Sequence, residues 1–239
     1  MEGDRQEGGE AQSNKWMAVL NQSAYRLLRM VSAVELEQAM ADGQAFHPTT
    51  IDLAGLCHSL EMEVAPLAKQ IGLTFSYDSA DLSLLTTADA GLLRSMLLGL
   101  ISNAMKAVGQ GGRLGLRLTR RGERAVITIW DDGPGMDERS LGSLFRTDSG
   151  GAIPRPKEGL RLGLLNARSI AALHDGVLVV ESKQGHGARF TVSLPIKPPE
   201  GLQLRTPRQT YDRHSGFSSL LVELSDALPW QVFLPDELE

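Results

Sequence analysis

The spacing of apolar residues along the chain changes several times between a helical and an extended pattern. Apolar residues recur every three or four positions over residues 14–40, 52–70, 88–108 and 162–174, which places them on one side of a helix in each stretch. We therefore predict four helices. The first carries a seam typical of coiled coils and helical bundles. That seam consists of Trp16, Leu20, Ser23, Leu27, Met30 and Val34.

Alternating apolar and polar residues predict strands between and after these helices. Residues 73–77 alternate in this way, and residues 82–86 predict a shorter strand. Two antiparallel hairpins follow, formed by residues 113–120 with 124–130 and by residues 176–182 with 188–195. The pattern therefore mixes helices with a largely antiparallel sheet.

The composition narrows the classes of protein to which the chain can belong. Of the 239 residues, 42% are hydrophobic and 22% charged, which is ordinary for a globular domain with extensions. A net charge of −5 argues against a nucleic-acid binder, which normally presents a basic face. The single cysteine, Cys57, excludes an internal disulfide and favours a reducing compartment. No apolar run reaches the ~18 residues that a membrane span needs, so we expect a cytoplasmic chain without membrane contact, either complete or the soluble part of something longer.

The first candidate binding residue stands at the end of a predicted strand. In WDDGPGMD, residues 130–137, Asp131 follows an apolar run and precedes Gly133 and Gly135. A carboxylate in this position can accept a hydrogen bond from an exocyclic amine while a flat ring lies against bare backbone, as in adenine recognition. Glycine is kept where φ is positive or where something approaches the main chain closely. The alternative is a plain surface turn around Gly-Pro-Gly.

The helix predicted before this strand carries a second candidate group. Asn103 and Lys106 lie three residues apart on one face, and Gly99 leaves that face open one turn earlier. The amide oxygen of an asparagine is a hard ligand suited to Mg²⁺, and a lysine is a point charge for phosphate. The alternative is an ordinary solvated polar face.

A glycine-rich stretch before the fourth helix is the third candidate. In GLRLGLLNARSIAALHDG, residues 159–176, Gly159 and Gly163 lie where a loop becomes a helix, and amides at such a junction can bind a polyphosphate. The preceding residues 137–160 are polar and irregular, and a loop of this length in a compact domain is usually functional, for instance a lid. The alternative is a flexible loop joined to an amphipathic helix.

The order of these pieces resembles the catalytic, ATP-binding domain of sensor histidine kinases, within the GHKL superfamily. LISNAMKAV looks like the N box, DDGPGM the G1 box, LFR the F box, GLRLGL the G2 box and GHGARF the last glycine box. The resemblance covers about residues 45–196. It implies an α+β fold, a two-layer α/β sandwich in which a mixed five-stranded sheet lies under three helices, here preceded by a long helix. The QSAYRLLRMVSAVELEQAMADG segment resembles the second helix of the dimerization and phosphoacceptor hairpin.

The resemblance also implies roles for individual residues. Asn103 would hold Mg²⁺, Lys106 would contact the phosphates, and Asp131 would accept from the adenine amino group. The remaining implied ATP-binding residues are Gly133 and Gly135 against the base, Phe145 anchoring a lid over residues 137–160, Gly159 and Gly163 around the triphosphate, and Arg161 and Leu164 in the same G2 box. The implied cofactors are ATP and Mg²⁺, and the implied partners are a response regulator and a phosphoacceptor helix of the protein itself.

The chain departs from the family pattern in four places. Gly99 stands where the N box usually begins with asparagine, Arg161 replaces the middle glycine of G2, and Ala188 replaces the usual threonine of the last box. Each change is expected to weaken ATP binding by about 1 kcal/mol, the contribution of an ordinary hydrogen bond. None of the five histidines fits the phosphoacceptor pattern H-E/D-x-x-N/T/P; they are His47, His58, His174, His186 and His214. A phosphoacceptor helix would have to precede residue 13.

Three functions are weighed on this basis. The first is the ATP-binding catalytic part of a sensor histidine kinase that phosphorylates a histidine outside this chain. The second is a degenerate, non-catalytic nucleotide-binding signalling module. The third, an ATPase of the gyrase or chaperone kind, is disfavoured because its glutamate base would stand at Gly99.

We expect four regions: residues 1–12 as a disordered linker or tag, 13–44 as the truncated hairpin helix, 45–199 as the ATP-binding domain, and 200–239 as a C-terminal extension without an assigned role. Residues 14–40 predict a homodimer; the alternative is a monomer, because a single hairpin helix lacks the partner helix of a four-helix bundle. The favoured expectation for the extension is that it docks on the domain.

Overall fold

The computed structural model describes residues 3–144, 159–197 and 216–234. The helices of these segments are α1 (Gly3–Ala41), α2 (Leu53–Gln70), α3 (Ala90–Ala107), α4 (Glu138–Ser143), α5 (Gly159–Leu173), α6 (Ser219–Leu224) and a 3₁₀ turn, Trp230–Phe233. The strands are β1 (Thr49–Asp52), β2 (Thr74–Ser79), β3 (Leu85–Ala88), β4 (Arg113–Arg121), β5 (Arg124–Asp131), β6 (Val177–Ser182) and β7 (Ala188–Pro195).

Five strands form one mixed sheet in the order β2-β4-β5-β7-β6. The β2–β4 pair is parallel and the other three pairs are antiparallel, which confirms both predicted hairpins and the five-stranded architecture. Strand β5 is central, and every second residue from Ala125 to Asp131 is buried. Asp131 pairs with Leu114 on one side and Ala188 on the other. A carboxylate therefore occupies the last inward-facing position of the central strand.

Helices α2, α3 and α5 cover one face of this sheet and confirm the predicted helical layer. Their buried apolar side chains form a continuous core with the inward-facing residues of β4, β5 and β7. Helix α3 is capped by Asp89, whose carboxylate accepts from the backbone N–H of Leu92 at 3.0 Å. A cap of this kind stabilises a helix by about 1 kcal/mol.

A small second sheet lies beside the layer of helices. Strand β1, which the sequence pattern does not reveal, pairs antiparallel with β3, and Thr49 lies opposite Ala88. The strand predicted over residues 82–86 is therefore wrong in position, because pairing with β1 selects residues 85–88.

Helix α1 extends further towards the N-terminus than the sequence predicts. Residues 1–12 were expected to be disordered, but the helix begins at Gly3. No proline interrupts residues 3–13, and a helix that is already nucleated propagates into such a segment at little cost. The apolar seam of this helix faces outward, and Leu20 and Leu27 are 66% and 63% exposed. The opposite side carries the buried residues Ala18, Gln22 and Tyr25.

Residues 216–234, which we call the C-terminal segment, dock between α1 and α3. The ring of Tyr25 contacts Phe217 and Phe233, both with centroids 5.2 Å away. The Gln22 side-chain amide donates to the backbone carbonyls of Ser225 at 3.2 Å and Leu228 at 2.7 Å. The predicted docking of the extension is therefore confirmed for this part of it.

The long irregular region predicted over residues 137–160 begins with a helix. Asp137 caps α4, and α5 begins at Gly159, three residues before the predicted start. Among the described segments, no helix is both long enough and apolar enough to cross a membrane.

Candidate nucleotide-binding site

The side chain of Asp131 points inward at the end of β5 and is 5% exposed. Its Oδ1 accepts hydrogen bonds from the backbone N–H groups of Gly133 at 3.0 Å and Ala188 at 3.3 Å. Its Oδ2 is buried and has no hydrogen-bond partner among the described residues. Buried polar atoms are almost always hydrogen-bonded, so this oxygen indicates a donor that a ligand supplies.

Burial raises the pKa of the Asp131 carboxyl above its ordinary value, and the nearby Asp132 adds to this effect. The two backbone N–H groups act in the opposite direction without cancelling it. A ligand N–H that bonds Oδ2 would offset part of the cost of burying the charge.

The second carboxylate of the pair has a different environment. Asp132 accepts from the backbone N–H of Arg113 at 2.7 Å and from its side-chain Nε at 3.1 Å. These bonds lower the pKa of Asp132. Adjacent residues of a strand face opposite sides, so one carboxylate faces the site and the other closes the β4–β5 sheet end.

Two glycines allow the backbone turns around Asp131 to pack without side chains. Gly135 has φ of +66°, and a Cβ there would overlap the carbonyl oxygen of Lys183. Gly187 has φ of +73°, and a Cβ there would overlap the carbonyl oxygen of Asp131. These close approaches bring the β6–β7 turn against the end of β5, so that the Ala188 N–H reaches Asp131.

The predicted base-lining role of Gly133 and Gly135 meets a crowded backbone. A Cβ on Gly133 would lie 2.8 Å from Asp131 Oδ1 and 2.9 Å from the carbonyl oxygen of Ala107. Protein atoms therefore occupy the space that side chains at both glycines would take. The contact of these residues with a base stays a prediction, and their demonstrated part is to shape the end of the strand.

Helix α3 presents its polar face beside this corner. Asn103 is buried at 4% exposure, and a Cβ on Gly99, one turn earlier, would meet nothing within 4 Å. The open space at Gly99 leaves room for a ligand along the helix, next to the side-chain amide of Asn103. The site therefore combines one carboxylate, one amide and a lysine, Lys106, on neighbouring elements.

Lys106 lies in a cluster of charged side chains that the sequence does not reveal. Its Nζ is 3.9 Å from Asp226 Oδ2, and Arg29 Nη1 is 2.7 Å from the same oxygen. Arg26 Nε is 3.5 Å from Asp226 Oδ1. Burial lowers the pKa of Lys106, as do Arg29 and Arg26, whereas Asp226 acts against this shift. Three cations therefore surround one carboxylate of the C-terminal segment, and we call this group of four residues the cationic cluster.

The G2 stretch borders the same cluster. Gly159 and Gly163 lie in the first turns of α5, and the atom nearest to a Cβ on Gly163 would be Arg29 Nη2 at 3.8 Å. Leu164 was expected to contact ATP, but it is 2% exposed and belongs to the hydrophobic core. Phe145 lies outside the described residues, as does the side chain of Arg161.

The structure adds site residues that the sequence reasoning did not name. Gly187 and the backbone of Ala188 complete the Asp131 corner, and the GHG pattern beside them was a usable signal. Arg29 and Asp226 are 197 residues apart, and no local pattern connects them.

Comparison with known proteins finds one family model that matches the part of the chain containing these residues. Residues 88–198 match the family described as histidine kinase-, DNA gyrase B- and HSP90-like ATPase. This part of the chain is therefore similar to the ATPase domains of that family. It contains Asn103, Lys106, Asp131, Gly163 and Ala188, and so includes the Asp131 corner and the polar face of α3.

Curated relatives bear names that fit the domain. The circadian input-output histidine kinase CikA of Synechococcus elongatus is 34% identical over 58% of this chain and 18% of its own length. The sensor histidine kinase ZraS of Escherichia coli K12 is 31% identical over 81% of this chain and 41% of its own. The chain thus spans less than half the length of these relatives. Nothing in the comparisons supports the alternative of a non-catalytic module.

Solved structures share the fold. The catalytic domain of histidine kinase ThkA superposes with a TM-score of 0.55 at 21% identity, covering 64% of this chain and 97% of that one. Full-length ShkA in complex with AMPPNP gives 0.57 at 21% identity, covering 80% and 46%. These likenesses confirm the α+β fold.

Proposed function

We propose that this chain binds ATP with Mg²⁺ and transfers the γ-phosphoryl group to a histidine, as part of a two-component sensor histidine kinase. The observation that carries the proposal is the buried Oδ2 of Asp131, which has no hydrogen-bond partner among the described residues and lies within the stretch that matches the ATPase family, as do Asn103 and Lys106. A purine with an exocyclic amine would supply the missing donor.

Each of the three polar side chains has a distinct part in this proposal. Asp131 fixes the adenine, because its Oδ1 is held by two backbone N–H groups while Oδ2 stays available. Asn103 would hold Mg²⁺ through its amide oxygen, and Lys106 would contact the phosphates. Bound Mg²⁺ would neutralise charge on the phosphates. Catalysis would then consist mainly of positioning and charge stabilisation.

The acceptor and the downstream partner follow from the same proposal. The γ-phosphoryl group would pass from ATP to a histidine nitrogen, leaving ADP, and the phosphohistidine would then donate it to a response regulator. ThkA has been solved in complex with the response regulator protein TrrA, at a TM-score of 0.58 to this chain. A helix outside residues 1–239 would carry the histidine, since none of the five histidines here fits the acceptor pattern.

We also propose that the outward seam of α1 pairs with the same seam of a second copy. Trp16, Leu20, Leu27, Met30 and Val34 are each more than half exposed, and they share one side of the helix. Sedimentation velocity of the chain is expected to show a dimer that Leu27→Glu converts to a monomer. A monomer for both proteins would contradict the pairing. A cytoplasmic location rests on the single cysteine and stays a prediction.

The direct test of the proposed function is transfer from γ-labelled ATP. The chain is incubated with Mg²⁺, labelled ATP and a segment that carries a phosphoacceptor helix of the sensor histidine kinase pattern. Acid-labile label on a histidine of that segment is expected with wild type and not with Asp131→Asn. Nucleotide binding without transfer would contradict the kinase activity but not the proposed binding site. Absence of binding at millimolar ATP would contradict both.

A further inference from the structure

The cationic cluster is an anion site that the protein's own chain already fills. Arg26 and Arg29 come from α1, Lys106 comes from α3, and their shared counter-ion is Asp226 of the C-terminal segment. The Arg29 side chain is only 13% exposed and that of Lys106 21%, whereas Arg26, at 43%, lies at the edge of the cluster.

The position of this carboxylate coincides with the path expected for a polyphosphate. Lys106 is the proposed phosphate contact, and Arg29 lies 3.8 Å from the position of a Cβ on Gly163 in the G2 stretch. Glu223, one turn before Asp226, accepts from Ser95 Oγ at 2.5 Å on the same helix α3. The C-terminal segment therefore contacts helix α3 at Ser95 and again at Lys106.

Resting on the proposed nucleotide site, we propose that the C-terminal segment is an internal competitor of the nucleotide. Asp226 occupies a polyphosphate subsite formed by Arg26, Arg29 and Lys106, and nucleotide phosphates displace it. The two arginines of α1 then contact the phosphates, so that the long helix senses whether a nucleotide is bound.

The segment is held by contacts of two separable kinds. Its charged contacts are those of Asp226 and Glu223 with α1 and α3. Its apolar contacts include Phe233, which is fully buried and packs on Tyr25. Substitutions of the second kind weaken the docking without altering the charge of the subsite, which separates displacement from a simple electrostatic effect.

The test measures binding of inorganic tripolyphosphate and of ATP with Mg²⁺ by calorimetry, using the whole chain. Asp226→Asn and Phe233→Ala are each expected to tighten both ligands by about tenfold, because a larger fraction of molecules has an open subsite. The matched control is Asp78→Asn, which breaks a surface ion pair with Arg117 of 2.8 Å and is expected to leave both affinities unchanged.

Hydrogen exchange gives a second readout that does not depend on activity. Backbone amides of residues 219–233 are expected to exchange faster when tripolyphosphate is added to wild type, and to exchange fast without ligand in Phe233→Ala. Thermal unfolding of each variant shows whether the domain itself remains folded. If Phe233→Ala does not fold, Asp226→Asn still decides the outcome.

The result that overturns the proposal is unchanged or weaker binding in Asp226→Asn together with unchanged exchange of the segment on ligand addition. Asp226 would then be a structural counter-ion that keeps Lys106 in place. If wild type and all variants fail to bind ATP, the nucleotide site itself is wrong and this proposal fails with it. ATP binding that is equal in wild type and both variants removes only the competitor.

Discussion

The two ends of the candidate site hold their carboxylates, the buried Asp131 and the partly exposed Asp226, in opposite ways. At the sheet end, Asp131 has one oxygen bonded to two backbone N–H groups and one oxygen without a partner among the described residues. At the other end of the site, which we call the far end, Asp226 lies within 4 Å of three cations beside the last turn of α3, one of them at 2.7 Å. Asp131 therefore lacks one donor among the described residues, whereas Asp226 is paired with three cations, one of which also pairs with Glu223.

The two environments have different consequences for ligand binding. A ligand that reaches Asp131 adds a hydrogen bond where the protein leaves one unmade, so the sheet end selects a base with an amine. A ligand that reaches Lys106 has to replace its ion pair with Asp226. Charge attraction at the far end therefore adds little to the binding free energy. Nucleotide affinity is therefore expected to depend strongly on the base and less on the phosphates.

The largest expected effect is at the sheet end. Asp131→Asn presents an amide N–H₂ where the adenine amino group needs an acceptor, and hydrogen bonds to charged groups contribute about 1.5–3 kcal/mol. We expect about a hundredfold loss of ATP affinity, with tripolyphosphate affinity unchanged. Calorimetry with both ligands checks this, and an equal loss of both would show that Asp131 does not contact the base.

The same substitution changes stability in the direction given by the raised pKa of Asp131. A folded-state pKa above the ordinary 3.8 means that stability falls as pH rises through that pKa. Asp131→Asn removes the buried charge, so without ligand it is expected to unfold at a higher temperature than wild type at pH 7.5. The difference should shrink on acidification, and scanning calorimetry over the pH range checks it.

The second effect concerns the backbone turns that build the Asp131 corner. Gly135→Ala is expected to destabilise the domain by about 2 kcal/mol more than Gly122→Ala. Both glycines have positive φ, but a Cβ on Gly122 would meet nothing within 4 Å, whereas one on Gly135 would overlap Lys183. Urea unfolding of the pair isolates the close approach from the φ requirement. Equal destabilisation would show that the turns do not need this contact.

The Asp131 corner could be predicted from the sequence, whereas the cationic cluster could not. The Asp131 corner comes from one strand end and one hairpin turn, and its glycines and carboxylate stand in short recognisable motifs. The cationic cluster joins helices that are nearly two hundred residues apart, with no spacing between them to read. Burial of Leu164 was missed because a G2-box position and a core position look alike in a motif, and only the packing of α5 on α3 decides between them.

The third effect tests the far end. Lys106→Met is expected to weaken tripolyphosphate and ATP by a similar factor of about ten, as for loss of one charge-assisted hydrogen bond. Burial, together with Arg29 and Arg26, lowers the pKa of Lys106, so a neutral side chain removes an unfavourable buried charge and the fold should be unaffected. Parallel titrations and a melting curve check both statements. A loss confined to ATP would place Lys106 at the base instead.

The smallest effect concerns His174, a buried histidine that links the start of α3 to α5. His174 Nε2 accepts from the backbone N–H of Asp89 at 3.0 Å, at the start of α3, and Nδ1 lies 2.8 Å from the Ile170 carbonyl oxygen of α5. With the Ile170 carbonyl accepting from Nδ1–H, the ring is neutral, and burial lowers the pKa of His174 below its ordinary 6.5.

The stability contributed by this neutral ring is complete above pH 6.5 and falls progressively below it, because the unfolded chain binds the proton more readily. Between pH 7 and 5, we expect the free energy of unfolding of His174→Gln to change by about 1 kcal/mol less than that of wild type. Melting temperatures measured across this range check the difference. The exposed His186 serves as the control, and His186→Gln should retain the wild-type slope. Identical slopes in all three proteins would rule out the histidine as the titrating group.

The most direct measurement of the central claim is an amide spectrum of the folded chain during titration with ATP and Mg²⁺. The Gly133 and Ala188 N–H groups bond the Asp131 oxygen opposite the proposed adenine contact. Saturable shifts of both resonances with ATP, and their absence with tripolyphosphate, are the predicted result. No shift of either resonance at millimolar ATP would contradict the assignment of Asp131 as the adenine-binding residue.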